Sequence, residues 1–424
     1  MMMSALELFL HDAYVGTVEA ASRDQTRVTL SVDAGYRQGV LLSESFATMP
    51  GRSPASAGVS NFLGGYVPEG NHRERMAAKR RVDKEDLFAL LSEFGGSVAG
   101  AVTLSKQGEP GTTEPAFEPV SDRELATLLK QALDESDQGI ADDSRSTLPG
   151  YQPKVLVARF DGQWFQPHGG AHSTHILKPQ VPSRPHRIYD EAYSHQLTRH
   201  MGLSRFGSEV RTAGRMTYLE IERFDRTIRG DRVLLHHQED LAQALGLDWR
   251  NTEVKFQERN WPADPKRASA QRVGELLGSI PGGQAAVEAW VRQLTYHVAI
   301  GNNDAHAKNL ALMHLATGTE LTQVYDAVPN LFQEGIVNWD LALAVDGEFD
   351  QRRMSTEGIL AEVATWGVIA ATRAEALVAE TLTSLDEALS VVEPDKDASP
   401  GMVERLQWNV TRLLGGTQIS EPKR

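Results

Sequence analysis

The order in which two apolar patterns follow each other constrains the fold of this chain most. Up to Phe224, segments such as 5–18 and 26–32 alternate apolar and polar residues, which is typical of half-buried strands. Beyond Gln238, the apolar spacing of most segments is helical. Strands followed by helices predict an α+β fold in which the helices are segregated from the sheet.

Individual elements and one linker can be predicted from the same patterns. Further strands are expected at 155–158, 175–178 and 218–224, with another that begins at Trp164. Helices are expected at 73–81, 86–94, 121–133, 191–201, 238–245, 269–278, 284–301, 357–366, 372–391 and 402–414. Ser121 and Glu124 form a capping-box pattern. The glycine, proline and threonine residues of 106–120 predict a linker.

Length, charge and cysteine content exclude several classes of protein. A chain of 424 residues is expected to contain two or three folding units rather than one core. Its formal net charge of −14 argues against a general nucleic-acid binder, although a local basic patch stays open. The absence of cysteine excludes disulfides, thiolate nucleophiles and cysteine-based zinc sites.

The N-terminal residues and the hydropathy predict a soluble protein with no membrane partner. Residues 1–10 have neither the basic segment nor the long apolar run of a signal peptide. No stretch approaches the ~20 apolar residues that a membrane helix needs. The expected location is therefore the cytoplasm.

A polar loop after the helix predicted at 284–301 contains the most specific chemical pattern. Asp304 and Asn309 lie five residues apart, which is the spacing of the catalytic Asp and the magnesium-binding Asn in protein kinases. Lys308, beside them, is suited to neutralise a phosphoryl group during its transfer. A polar turn with Asp304 as a helix N-cap would contain the same residues, so the spacing alone is a weak signal.

Three other features are consistent with a nucleotide site, although each also has an ordinary structural explanation. Asp326 follows an apolar run that ends at Tyr325, and it is either a second metal-binding Asp or a strand-end turn. Lys178 ends a strand and is either a lysine that pairs with ATP phosphates, with Glu191 as its carboxylate partner, or an exposed lysine. Gly150 allows backbone N–H groups to approach a phosphate, within a segment that composition alone marks as a loop.

Six motifs in a fixed order make the chain resemble the HipA-type toxin kinases. In that family the motifs read close to S-x-x-G-x-Q-x-K, T-T-H-I-x-K, E-R-F-D-R, Q-E-D, D-x-H-x-K-N and Y-D. The corresponding segments of this chain are 147–154, 173–178, 222–226, 238–240, 304–309 and 325–326. Segments 61–69 and 87–104 also resemble the N-terminal domain of the family, so the resemblance covers nearly the whole chain.

This resemblance implies an architecture. The fold is expected to be α+β and bilobal like a protein kinase, with a β-rich N-terminal accessory domain and an all-helical C-terminal lobe. The implied boundaries are 1–110 for the accessory domain, 111–224 for the kinase N-lobe with its phosphate-covering loop, and 225–424 for the C-lobe.

The resemblance also implies roles for the residues that match the family motifs. Asp304 is the implied catalytic residue, Asn309 and Asp326 are the implied magnesium ligands, and ATP and Mg²⁺ are the expected cofactors. The implied ATP-binding residues are Pro149, Gly150, Tyr151, Gln152, Lys154, Lys178, Glu222, Arg223, Phe224, His306 and Tyr325. Segment 180–189 corresponds to a mobile loop near the protein substrate.

The position of a regulatory phosphate departs from the family pattern. Family members phosphorylate their own serine at the position where this chain has Thr147, with Ser146 just before it. Either hydroxyl can accept a phosphoryl group. A phosphate adds roughly two negative charges, which the phosphates of ATP would repel. In the family, this modification moves the loop out of the nucleotide site and switches the kinase off.

The function that the resemblance implies is a toxin serine/threonine kinase that phosphorylates an aminoacyl-tRNA synthetase. Glutamyl-tRNA synthetase is the best-known target in the family, and the result is translation arrest, growth inhibition and persistence. The implied partner is a small helix-turn-helix antitoxin, HipB-like, which makes most of the contact with operator DNA. Two alternatives stay open: a catalytically weak co-repressor scaffold that binds antitoxin and DNA, and a small-molecule kinase.

Overall fold

The computed structural model shows a chain of two compact units. It describes residues 5–37, 39–108, 115–135, 152–230, 232–329 and 338–421. The first unit comprises 1–179, 211–252 and 313–318, and the second comprises 180–210, 253–312 and 319–424. Helices and strands are both abundant, which confirms the predicted α+β class.

The first unit begins with a four-stranded antiparallel sheet and three helices. The strands are β1 (Ala5–Leu10), β2 (Ala13–Ala20), β3 (Val28–Val32) and β4 (Val102–Lys106), in the order β3-β2-β1-β4. The helices are α1 (Ser56–Gly64), α2 (Gly70–Arg80) and α3 (Leu87–Phe94). Leu6, Leu8 and Leu30 of the strands share one buried core with Phe62 and Leu91 of the helices. The alternating patterns near the N-terminus therefore correspond to the core face of this sheet.

A six-stranded sheet follows, in the order β5-β7-β6-β8-β10-β9. Its strands are β5 (Ala116–Val120), β6 (Val155–Phe160), β7 (Gln163–His168), β8 (His175–Pro179), β9 (Ser208–Ala213) and β10 (Met216–Glu222). Helix α4 (Asp122–Glu135) covers one face, where its Leu125 and Leu129 share a second buried cluster with Val155 and Leu177. The predicted capping box begins α4, because the Glu124 carboxylate accepts from the backbone N–H of Ser121 at 2.8 Å.

The linker predicted at 106–120 is wrong at its C-terminal end. Residues 116–120 form β5, which pairs antiparallel with β7 at the edge of the six-stranded sheet. Only Val120 of this strand is buried. An exposed edge strand needs no apolar alternation, so the sequence shows no strand pattern there.

Two apolar clusters lie within the first unit, one in the N-terminal region and one under the six-stranded sheet. Residues 1–110 belong to the same compact unit as most of 111–224, whereas residues 180–210 belong to the second unit. The boundaries expected at 110 and 224 stay predictions.

The prediction of an all-helical region after residue 225 needs correction. That region also contains the strands β11 (Arg226–Arg229), β12 (Arg232–Leu235), β13 (His237–Asp240), β14 (Ala311–Leu315), β15 (Gly318–Leu321), β16 (Asp340–Val345) and β17 (Glu348–Asp350). The helix predicted at 238–245 is wrong in its first half, because helix α6 (Leu241–Ala244) begins only after Asp240. Asp240 caps that helix through a capping box with Gln243. Most of these strands have only three or four residues, so a period of two is hard to recognise in them.

The second unit is mainly helical. Its helices are α5 (Arg187–His200), α7 (Ala270–Ser279), α8 (Gln284–Ile300), α9 (Thr356–Thr365), α10 (Ala371–Val391) and α11 (Met402–Leu414). Helix α8 is largely buried, with Trp290, Tyr296 and Val298 each at most 1% exposed. Helices α7 to α11 were predicted to within one residue at each end, whereas α5 begins four residues before the start that was predicted at 191. No helix in the described ranges is both long enough and apolar enough to cross a membrane.

Candidate active site

The C-terminal end of α8 fixes the start of the predicted catalytic loop. Gly301 ends the helix in the left-handed region, at a φ of +69°, which glycine adopts without steric cost. Asn409 Nδ2 donates to the carbonyl of Ala299 at 2.9 Å, and Gln351 Nε2 donates to that of Val298 at 3.2 Å. Because helix ends leave such carbonyls without partners inside the helix, these bonds hold the end of α8 in place.

Asn302, which sequence analysis did not assign a role, holds the next turn. The side chain is buried, and its Nδ2 donates to Nδ1 of His297 at 3.1 Å. Its Oδ1 accepts from the backbone N–H of Asp304 at 3.1 Å. Burial lowers the pKa of His297 to about 4, so the imidazole is neutral and able to accept this bond. One buried amide therefore links α8 to the backbone of Asp304.

The two residues predicted from their five-residue spacing are joined directly. Asn309 Nδ2 donates to the backbone carbonyl of Asp304 at 2.7 Å, and the N–H of His306 donates to the same carbonyl at 2.8 Å. The Asp304 side chain is 43% exposed, and its Oδ1 lies 3.7 Å from Nε2 of His306. Because the amide nitrogen of Asn309 is used within the loop, its Oδ1 is the atom suited to ligate a cation.

Tyr325 joins the predicted metal-binding segment to the catalytic loop. Its hydroxyl donates to the backbone carbonyl of Lys308 at 3.1 Å. The next residue, Asp326, has a φ of +50°, in the left-handed region that residues with a Cβ rarely adopt. The N–H of Val324 donates to the carbonyl of Leu203 at 3.0 Å and fixes the segment from the other side. Aspartate adopts this region more readily than most residues with a Cβ.

Asn309 and Asp326 have side-chain oxygen atoms of the kind that Mg²⁺ prefers. Mg²⁺ prefers oxygen ligands, and a kinase supplies only the loop Asn and the second Asp, while phosphate oxygens provide further ligands. Asn309 and Asp326 are therefore the residues that would hold the ion in this chain.

Lys178 lies in the first unit, on the face of the six-stranded sheet opposite α4. The pairing of β8 with β10 sets Lys178 opposite Leu219, and the pairing with β6 sets Ile176 opposite Leu156. These four side chains share one face, because alternate residues of a strand point to the same side. Lys178 is 5% exposed. Apolar side chains can pack against the flat base of a nucleotide, and an amine can pair with its phosphates. A face with one lysine among apolar side chains therefore suits a nucleotide.

Segment 222–224 leaves the end of β10, where the resemblance places the adenine contact. Glu222 is exposed and Phe224 is half-buried, whereas Arg223 is 6% exposed. The Arg223 guanidinium donates to Ser173 Oγ at 2.9 Å and to Asp225 Oδ1 at 3.0 Å. Its side chain therefore turns into the protein, and the parts of this segment suited to face a base are its backbone and Phe224.

The remaining predicted residues divide between the two units and the undescribed ranges. Lys154 is buried just before β6, and Gln152 is half-buried. Glu191 lies on α5 in the second unit, and its Oε1 is 3.8 Å from Nε2 of His195. The pairing of Glu191 with Lys178 stays a prediction. Pro149, Gly150 and Tyr151, with the candidate phosphorylation residues Ser146 and Thr147, lie outside the described residues.

Comparison with protein families gives two matches that together span most of the chain. The model of the HipA N-terminal domain matches residues 6–105. The model of the HipA-like C-terminal domain matches residues 146–389, which include every predicted site residue.

Two curated relatives from Sinorhizobium fredii (strain NBRC 101917 / NGR234) carry provisional kinase names. Y4mE is 31% identical over 281 residues, which are 62% of this chain and 63% of the relative. Y4dM is 27% identical over 331 residues, which are 74% of this chain and 71% of the relative. The match therefore spans somewhat less than two thirds of the length of Y4mE.

One similar solved structure is the Shewanella oneidensis MR-1 toxin–antitoxin complex of HipA, HipB and operator DNA. A chain of that complex matches with a TM-score of 0.81 and 24% identity, over 97% of both chains. The match shows that the fold is shared over almost the whole length.

Proposed function

The chain belongs to the HipA family, and from this membership we propose that it is a toxin serine/threonine kinase that transfers the γ-phosphate of ATP to a protein hydroxyl. The observation that carries the proposal is the bonded pair of Asp304 and Asn309 at the rigid end of α8. The Tyr325 hydroxyl ties the Asp326 segment to the same loop. Asp304, Asn309 and Asp326 are of the residue types that protein kinases use for phosphoryl transfer, and Asp304 and Asn309 also have the spacing found there.

Asp304 is the residue that orients the acceptor hydroxyl and accepts its proton. Its carboxylate is exposed enough to meet a protein substrate, while Asn302 and Asn309 hold its backbone. Lys308 stabilises negative charge on the transferring group. Phosphoryl transfer depends mostly on positioning and charge stabilisation, so a rigid loop with one carboxylate and one amine supplies much of what the reaction requires.

The remaining residues of the site bind ATP. Lys178 pairs with the α- and β-phosphates, and the base packs near Leu156 and Ile176. Asn309 and Asp326 would hold a magnesium ion, which would supply positive charge beside the phosphates. The further ATP contacts are Pro149, Gly150, Tyr151, Gln152, Lys154, segment 222–224, His306 and Tyr325.

Substitution of Asp326 tests the metal site. Asp326→Asn keeps a side chain that tolerates the left-handed backbone but removes the charge, so phosphoryl transfer should fall by about 10²–10³-fold. The Mg²⁺ concentration for half-maximal rate should rise about tenfold. Asp326→Ala should lose the same activity and about 1 kcal/mol of stability as well, because alanine is strained at this φ. Initial rates against Mg²⁺ concentration and thermal melting measure both effects.

A matched control exists in the same unit. Asp346 is exposed and also left-handed, with a φ of +52°. Asp346→Asn should leave the rate and the Mg²⁺ dependence unchanged. An Asp326→Asn variant with the Mg²⁺ dependence of the wild type would contradict the assignment of Asp326 as a ligand.

The proposed target is an aminoacyl-tRNA synthetase of the glutamyl-tRNA synthetase type, and the proposed partner is a HipB-like helix-turn-helix antitoxin that contacts operator DNA. Family membership and the fold shared with a HipA–HipB–DNA complex support this proposal. Purified chain, labelled ATP and a cell lysate should give one dominant labelled protein, which mass spectrometry identifies. A labelled protein outside the tRNA synthetases would overturn the target but not the kinase activity.

Self-phosphorylation in the phosphate-covering loop is proposed as the off-switch. After incubation with Mg²⁺ and ATP, mass spectrometry should find phosphate on Ser146 or Thr147, and the modified fraction should bind ATP more weakly because like charges repel. The separate variants Ser146→Ala and Thr147→Ala identify the acceptor. A chain that phosphorylates its target but carries no phosphate on either residue would contradict this mode of regulation.

A further inference from the structure

We propose that Asp225 is a positioning residue through which segment 98–100 of the N-terminal region fixes the ATP-contacting segment 222–224. The inference rests on the proposed function and gives the N-terminal region a part in nucleotide binding. All of the residues concerned lie in the first unit.

Asp225 is the centre of a buried hydrogen-bond network. It is 2% exposed, and its carboxylate accepts from Arg223 Nε at 3.0 Å and Nη2 at 2.8 Å, and from Arg226 Nη1 at 2.9 Å. It also accepts from the N–H of Gly100 at 2.9 Å and from Gln238 Nε2 at 3.1 Å. Burial alone would raise the pKa of this carboxyl, but the two guanidinium groups hold it well below its usual range. The Asp225 carboxylate is therefore ionised, and both of its oxygens accept hydrogen bonds.

Arg226 extends the network to the N-terminal region. Its Nη1 donates to the carbonyl of Gly100 and its Nη2 to that of Val98, both at 2.8 Å. Gly100 has a φ of +74°, and a Cβ there would lie 2.7 Å from both the backbone N and O of Gln238. Only glycine permits this approach. Burial, together with the neighbouring Arg223, lowers the pKa of Arg226 to about 9, so the guanidinium is still charged at neutral pH.

Arg223 extends the same network to the strand that carries Lys178. Its Nη1 donates to Ser173 Oγ and its backbone N–H donates to the carbonyl of Thr174, both at 2.9 Å, just before β8 begins. A second link joins these regions, because Ser97 Oγ and His172 Nδ1 lie 2.9 Å apart. Segment 97–100 is thus linked to Asp225 and Arg226, which follow segment 222–224, and to His172, which precedes β8.

The charge balance makes Asp225 the weak point of this network. The guanidinium groups of Arg223 and Arg226 are buried and share the one negative charge of Asp225. If that charge is removed, two positive charges stay in the protein interior, which solvates charge poorly, with no carboxylate to balance them. The two groups then repel each other, and Arg223 is the one whose backbone lies in segment 222–224. A displacement of about 1 Å in a binding segment can cost up to two orders of magnitude in activity.

Two variants test the proposal through ATP affinity rather than through stability alone. Asp225→Asn keeps the shape and removes the charge, and it should raise the KM for ATP and the Kd for a fluorescent ATP analogue about tenfold. The kcat at saturating ATP should stay within about threefold. Ser173→Ala removes one hydrogen bond of the Arg223 guanidinium and should raise the same Kd about threefold. All affinities are measured well below the melting temperature of each variant.

Asp248→Asn is the matched control, because Asp248 also pairs with an arginine in this unit, at 2.7 Å from Arg250, but is 40% exposed. Its Kd should equal that of the wild type.

If Asp225→Asn only melts earlier and both test variants bind the analogue within twofold of the wild type, the positioning role is wrong. Where Asp225→Asn does not fold, Ser173→Ala alone decides. A wild-type chain that binds no ATP would instead overturn the proposed function itself.

Discussion

Replacing Asp304 by Asn is expected to lower the rate of phosphoryl transfer to protein about a thousandfold while ATP affinity stays within about twofold of wild type. Asparagine has the same shape, and the bonds at this residue to Asn302 and Asn309 involve its backbone N–H and carbonyl. The loop should therefore keep its conformation. The loss is confined to the carboxylate that orients the acceptor hydroxyl and takes its proton.

The measurement is the initial rate of label transfer from γ-labelled ATP to lysate protein, beside the Kd of a fluorescent ATP analogue. The control is Asp386→Asn, at an exposed position of α10, which should match the wild type in both quantities. An Asp304→Asn rate within tenfold of wild type would contradict the assignment of Asp304 as the catalytic residue.

Replacing Glu239 by Ala is expected to have the largest effect on stability. Glu239 is 1% exposed, and its carboxylate accepts from Ser43 Oγ and from the N–H of Glu44, both at 2.7 Å, and from His314 Nε2 at 3.0 Å. Alanine would remove the acceptor of these three donors and would open a cavity. The expected loss in the free energy of unfolding is about 3–5 kcal/mol.

Urea denaturation followed by circular dichroism measures this loss as a shift of the first-unit transition. Glu118→Ala is the control, because the Glu118 side chain is 71% exposed, and it should stay within about 0.5 kcal/mol of wild type. A loss of less than about 1 kcal/mol for Glu239→Ala would show that the network around Glu239 contributes little to the fold.

The central residues of the proposed site could be predicted from the sequence. Protein kinases have a catalytic Asp and a magnesium-binding Asn five residues apart, so Asp304 and Asn309 could be proposed for these roles, and the order of six motifs supported the proposal. Long helices such as α8 could be predicted because their periodic pattern extends over several turns.

What the sequence did not reveal depends on partners that are distant in the chain. Asp225 meets the N–H of Gly100 across a separation of 125 residues, and Glu239 meets Ser43 across 196. No local pattern indicates such pairs. The left-handed backbone of Asp326 and the bond of Asn302 to His297 are likewise set by packing around the site. The edge strand β5 went unpredicted because an exposed edge imposes no apolar period.

Incubation of the purified wild-type chain with γ-labelled ATP, Mg²⁺ and lysate protein tests the central claim most directly. We expect acid-stable label on serine or threonine of a protein, and none when Mg²⁺ is chelated. Binding of ATP without transfer to any protein would contradict the claim and favour a co-repressor scaffold. Transfer only to small molecules would contradict it as well and favour a small-molecule kinase.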